Sequence, residues 1–247
     1  MKLWKAWFDI RQRFILCVVL VTLLMAPEAV SVALASARAT AVAEATGPAA
    51  EPGTLEAAQA FTHMLEGWIR GNAHYIFSIL AIVLAVGGIL SSGNARSNLM
   101  TLSLPARRGR WLTAQATVAA ILLLALCAWE ASIMAVTGWL SGLEVPTGHL
   151  LVAVLLTAVS ASLWIWPAIL VTAFTRESVR AALIMVSILV TVQTVLGSIG
   201  RQDLGLGRIA DVPGWGAGVP WAPLLFGALL AGGSTWWAHT RFRRMEF

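Results

Sequence analysis

Apolar residues run in long blocks along this chain, and the polar residues fall between the blocks. Six blocks, about 14–36, 74–92, 112–137, 149–173, 181–199 and 221–239, each come near the length of a bilayer-spanning helix. Such a helix needs roughly 20 apolar residues to cross about 30 Å of hydrocarbon. Within lipid a lone span satisfies its backbone only as a helix. The pattern therefore predicts an all-α, polytopic integral membrane protein with six transmembrane helices.

The intervals between blocks carry patterns of their own. Ahead of the first block, Trp4, Trp7, Phe8 and Ile15 recur at helical spacing, with Lys2, Lys5, Asp9 and Arg13 elsewhere. This predicts an interfacial amphipathic helix over 1–13, aromatics towards the acyl chains and basic groups on anionic headgroups. A single six-span domain, 14–247, follows. The longest polar interval, 37–73, is expected outside. Its Ala39–Gly53 part reads as an irregular loop, and Thr54 then caps an amphipathic helix over Leu55–Ile69 with Phe61, Leu65, Trp68 and Ile69 on its apolar stripe. A second outside loop, 200–220, is rich in glycine but has no phosphate-cradling motif.

Composition narrows the class. Of 247 residues, 58% are hydrophobic and 12% charged, and the mean hydropathy is +0.79. Soluble domains carry about 25% charged residues, so a soluble enzyme, a disordered tail and a disulfide-stapled secreted module are all excluded. Cys17 and Cys127 lie inside apolar blocks and form no C-x-x-C site. The formal charge of +5 points to topology, with no nucleic acid needed to explain it, because basic residues gather on the cytoplasmic side of spans. With the N-terminus inside, 13 of the 17 Lys and Arg residues fall in inside segments, and Arg38, Arg70, Arg201 and Arg208 fall outside. Both termini are then cytoplasmic. An alternative stays open at the first span, where Ala35-Ser36-Ala37 resembles a signal-peptide cleavage site.

Polar residues inside the blocks are the candidates for a translocation path. Glu28 stands beside Pro27 in the first span, Glu130 beside Trp129 in the third, and Gln193 between Thr191 and Thr194 in the fifth. An acid at a helix centre costs about 2.5–3.5 kcal/mol on insertion scales. Each acid therefore either lines a path for polar or cationic cargo or is neutral, paired or turned toward the outer headgroups, and Gln193 either bonds a neighbouring helix, the favoured reading, or faces the path. Ala153, Thr157 and Ala161, and likewise Gly227 and Ala231, form small-residue faces suited to close helix approach. His63, His74, His149 and His239 are scattered near span ends with no metal-binding spacing. Trp111, Trp139, Trp221, Trp236 and Trp237 read as an aromatic belt.

One inside segment is more specific. Residues 94–104 read as a short cytoplasmic helix, capped by Asn94 and ended by Pro105, with Leu99, Met100, Leu102 and Leu104 apolar and Arg107, Arg108 and Arg110 directly after it. An apolar helix face rimmed by arginines suits docking into the groove of a cytoplasmic partner.

Here the chain resembles the type-2 family of ABC transporter permeases. Members carry a helix after the second span that runs into Leu-Leu-Ser-Leu-Pro-Val-Ser-Arg, and this chain has Leu102, Ser103, Leu104, Pro105 and Arg107, with Ala106 in place of Val. Arg107 comes one place before the usual arginine, and Arg108 occupies that place. Ser91, Ser92, Gly93 and Asn94 replace an acidic lead common in the family. The basic amphipathic N-terminus and the six-span layout fit as well. The resemblance implies the permease subunit of an ABC exporter in the bacterial inner membrane, moving a hydrophobic or amphipathic substrate such as a drug, peptide or lipid. It implies docking of a cytoplasmic P-loop ATPase through Leu99, Met100, Leu102, Leu104, Pro105, Arg107 and Arg108, and a second permease chain, identical or paralogous. This chain would then be no enzyme and hold no cofactor, with ATP and Mg bound by the partner. The chain contains no Walker A motif. The competing classes are a non-transporting membrane scaffold or sensor, an ATP-independent secondary transporter and an intramembrane enzyme. The last needs a convergent catalytic set, which no spacing here supplies.

Overall fold

The computed structural model describes residues 2–46, 59, 61, 73–86, 108–143, 145, 147–175, 177–200, 206–209 and 221–244. These residues form helices α1 (Lys2–Thr46), α2 (Ala73–Ala85), α3 (Arg108–Leu140), α4 (Thr147–Ser162), α5 (Ile165–Thr175), α6 (Ser178–Ser198) and α7 (Trp221–Arg244), with a short 3-10 turn at Leu206–Ile209. No strand occurs among them. Four stretches, Ile10–Arg38, Arg110–Leu140, Leu150–Thr175 and Ser178–Leu196, are long and apolar enough to cross a membrane. The chain is thus an α-helical membrane protein. Of the other expected spans, α2 is described over 13 residues. The sixth coincides with α7, whose apolar run is diluted by Gly232, Gly233, Ser234 and Thr235.

α1 departs from expectation at both ends. It runs unbroken for 45 residues, so no helix boundary separates 1–13 from the first span. It also continues to Thr46, through the stretch from Ala39 that read as loop. Alternating alanines explain this, since Ala39, Ala41, Ala43 and Ala45 are the best helix formers. At 1.5 Å per residue, α1 is about twice as long as the ~30 Å of hydrocarbon.

Three contacts fix how the helices run. The Arg13 guanidinium donates to the Val83 carbonyl (3.4 Å), and the Gln115 amide donates to the Ala85 carbonyl (2.7 Å). The beginnings of α1 and α3 therefore lie beside the end of α2. Further along, the Trp129 indole donates to the Thr22 hydroxyl (3.0 Å), so α1 and α3 run parallel. After the turn at 141–143, α4 and α5 run back along α3, and Arg241 near the end of α7 sits over the Phe174 ring near the end of α5 (5.4 Å). Arg11, Arg13, Arg110, Arg180 and Arg241 consequently gather at one end of the bundle, and Arg38 lies toward the other.

α2 is the centre of the bundle. It packs against α1, α3, α4, α5 and α6, and Ala73, His74, Phe77, Ser78, Leu80, Ala81, Ile82, Leu84 and Ala85 are all buried. A helix apolar on every side needs neighbours on every side. α1 instead buries one stripe, Ile10, Cys17, Val21, Met25 and Val32, mainly against α3. Small residues set the closest approaches. At Gly227 a Cβ atom would collide with Leu163, so α7 reaches the α4–α5 junction only because position 227 has no side chain. At Gly138 a Cβ would stand 2.6 Å from Val145 Cγ2 and 2.7 Å from Phe61 Cζ. Phe61, from the expected apolar stripe, is thereby buried on the end of α3. Ala153, Thr157 and Ala161 are buried, as their small-residue face predicted.

Candidate functional site

The expected path residues do not converge. Glu28 is exposed on α1, and only its backbone carbonyl is engaged, by the Ser31 hydroxyl (2.7 Å). Gln193 on α6 accepts a hydrogen bond from the Tyr75 hydroxyl on α2 (3.3 Å), which is the helix-to-helix link its position suggested. Glu130 alone is buried, at 5% exposure. The docking residues Leu99, Met100, Leu102, Leu104, Pro105 and Arg107 lie outside the described residues, as does the helix expected over 94–104. Arg108 opens α3.

Glu130 faces a small gap between α3, α4 and the start of α2, lined also by Ala73, Met134, Leu150, Ala153 and Thr157. The gap measures about 10 Å³, which is room for about one water molecule. Drug-sized ligands need about 300 Å³ or more, so this conformation holds no cargo there. The gap lies well inside the bundle, since Glu130 is 22 residues into α3 and Thr157 is 10 into α4.

Beside this gap is a second polar group, which the sequence reading missed. His74 is buried at 4% exposure, and its Nδ1 shares a 2.7 Å hydrogen bond with the Ser160 hydroxyl of α4. Its Nε2 has no hydrogen-bond partner among the described residues, and neither does Ser78 Oγ or Trp164 Nε1. The chain between α4 and α5 breaks helical pairing at Leu163 and Trp164. The Trp164 N–H turns to the Ala161 carbonyl (3.1 Å). Pro167 has no N–H to offer Leu163, which is why an apolar run of the right length for one span is two helices. Pro167 inside the block and His74 at the edge of another were the available signals. The edge position makes His74 read as interfacial, whereas the fold buries it against α4.

A serine bonded to a histidine is the contact from which nucleophilic catalysis begins. This pair lacks the rest of the machinery. Ser160 is fully buried, and among the described residues no third group orients the imidazole through Nε2. Its chemistry is that of a structural link between α2 and α4. Among the described residues no three His, Cys, Asp or Glu side chains group for a metal ion. His239 instead bonds the Thr235 carbonyl within α7 (2.9 Å) and lies against Trp166 (5.4 Å between centroids). Comparison with family models, curated proteins and solved structures returns no match.

Proposed function

We propose that this chain is the membrane-spanning permease subunit of an ABC exporter. Six spans would leave both termini in the cytoplasm of a bacterial cell, and a separate P-loop ATPase would dock through the segment before α3. The observation that carries the reading is the run Leu102-Ser103-Leu104-Pro105-Ala106-Arg107, followed by Arg108 and Arg110. An apolar segment ending in proline and arginine between two spans is what a soluble motor needs in order to grip a membrane subunit.

Two features of the bundle support it. The end of α2 and the start of α3, which flank that segment in sequence, meet at the Gln115–Ala85 bond. The same end carries Arg11, Arg13, Arg110, Arg180 and Arg241, the side that positive-inside bias assigns to the cytoplasm. Cargo would be hydrophobic or amphipathic, moved between two copies of the chain or between it and a paralogue as nucleotide-driven closure of the motors rocks the spans. The small gap at Glu130 fits a closed state of one subunit.

The test is co-purification. The tagged chain, extracted from its native host in mild detergent, should carry a stoichiometric P-loop ATPase. Leu104→Glu should abolish that retention while membrane insertion, read by fractionation, is kept. A chain that purifies alone after cross-linking would return the function to a scaffold or a secondary transporter.

A further inference from the structure

Among the described residues three buried side-chain atoms have no partner, His74 Nε2, Ser78 Oγ and Trp164 Nε1, and they sit on α2 and at the α4–α5 junction, which pack together. His74 and Ser78 are one turn apart on α2, and Ser160 and Trp164 are one turn apart across the end of α4. The His74–Ser160 bond fixes the register. α2 ends at the end of the bundle where α3 begins, and α4–α5 runs back toward that same end, so the two chains descend side by side. Four residues below the bonded pair, each has advanced about 6 Å, which brings Ser78 level with Trp164. The residues that carry the orphan atoms thus fall at neighbouring levels of facing elements, beside the break in the Leu150–Thr175 stretch.

We propose that this junction is an internal hydration site, in which an ordered water bridges Trp164 Nε1, Ser78 Oγ and His74 Nε2. The donor set selects that ligand. An indole N–H can only donate, a hydroxyl can do either, and the free imidazole nitrogen donates or accepts according to its tautomer. A species that accepts from tryptophan and exchanges bonds with the other two is a water. Buried waters make roughly three hydrogen bonds to polar groups left over by the protein, the number available here. A cation is disfavoured by the indole donor. The surroundings, Phe77, Ala81, Ala161 and Ile165, are apolar and buried, so no bulk solvent replaces it. Irregular backbone at membrane depth is tolerated where it borders protein or water, and the water holds the break together where Pro167 removed a helical bond.

The site is tested on the purified full chain in nanodiscs. With tryptophan labelled by 15N, Trp164→Phe identifies the Trp164 indole signal. That signal should show a cross-peak to water despite 2% exposure. Ser78→Ala should shift the signal and weaken the cross-peak. A Trp164 indole with no contact to water, unmoved by Ser78→Ala, overturns the proposal. If Trp164→Phe does not fold, radiolytic footprinting of the unaltered chain decides. Water held against a buried side chain raises its hydroxyl-radical labelling, so Trp164 should be oxidised several-fold faster than the equally buried Phe77. Equal, near-zero labelling of both means the junction is dry.

Discussion

Glu28 and Glu130 look alike in the sequence, each a lone acid in an apolar block, yet they belong to opposite regions of the molecule. α1 and α6 form an outer layer, with 22% and 17% of their apolar windows buried, against 56% for Leu150–Thr175. Glu28 stands on the exposed side of that outer layer, and Glu130 faces the internal gap. Hydrophobicity does not separate the layers, because lipid tails are as apolar as leucine. What separates them is packing: small residues, close helix approach and polar groups that find partners across the interface.

The contrast can be broken by substitution. The largest effect is expected for a charge. Glu130→Lys puts a longer side chain of opposite charge into a gap sized for one water, and this overpacking should cost about 3 kcal/mol. Glu28→Lys should leave the monodisperse peak in detergent size-exclusion unchanged. Equal behaviour of the two variants would erase the distinction between the layers. Next comes cavity formation. Phe77→Ala should lose on the order of 2 kcal/mol, mainly the cavity part of such a truncation, whereas Leu23→Ala on the exposed face of α1 should lose almost nothing. Unfolding in mixed micelles against SDS fraction reads both.

Overpacking sharpens the same comparison. Gly227→Val should cost about 1–3 kcal/mol, because it drives α7 off Leu163. Gly232→Val, where an added Cβ meets nothing within 4 Å, should be tolerated. The smallest effect is Tyr75→Phe, which removes one 3.3 Å bond to Gln193. Hydrogen bonds between membrane helices average about 0.6 kcal/mol, so a shift near that size is expected, and a loss several times larger would give α6 a firmer seat than its exposure suggests.

Much of the architecture was legible. The third, fourth and fifth apolar blocks return as Arg110–Leu140, Leu150–Thr175 and Ser178–Leu196, because apolar length is a direct count. The small faces at Ala153, Thr157 and Ala161 and at Gly227 were readable for a similar reason, since few residues allow close approach. Gln193 found its cross-helix partner. The site was less legible. His74 sits at the edge of a block in sequence and in the middle of the bundle in space, and its partner Ser160 is 86 positions away. The helix over Ala39–Thr46 was misread because proline and glycine further on made the whole interval look like loop, while its alanines favoured helix.

The sequence by itself determined that the chain is helical and that it belongs in a membrane. These follow from a one-dimensional quantity, the length of apolar runs. Only the tertiary structure decided which acid is buried, that α2 is the central helix, and that His74 is bonded to Ser160. The reason is physical. Lipid and protein interior are nearly the same solvent for an apolar side chain, so composition cannot tell one from the other. The choice is made by steric fit at positions such as Gly227 and by hydrogen bonds between residues far apart in the chain.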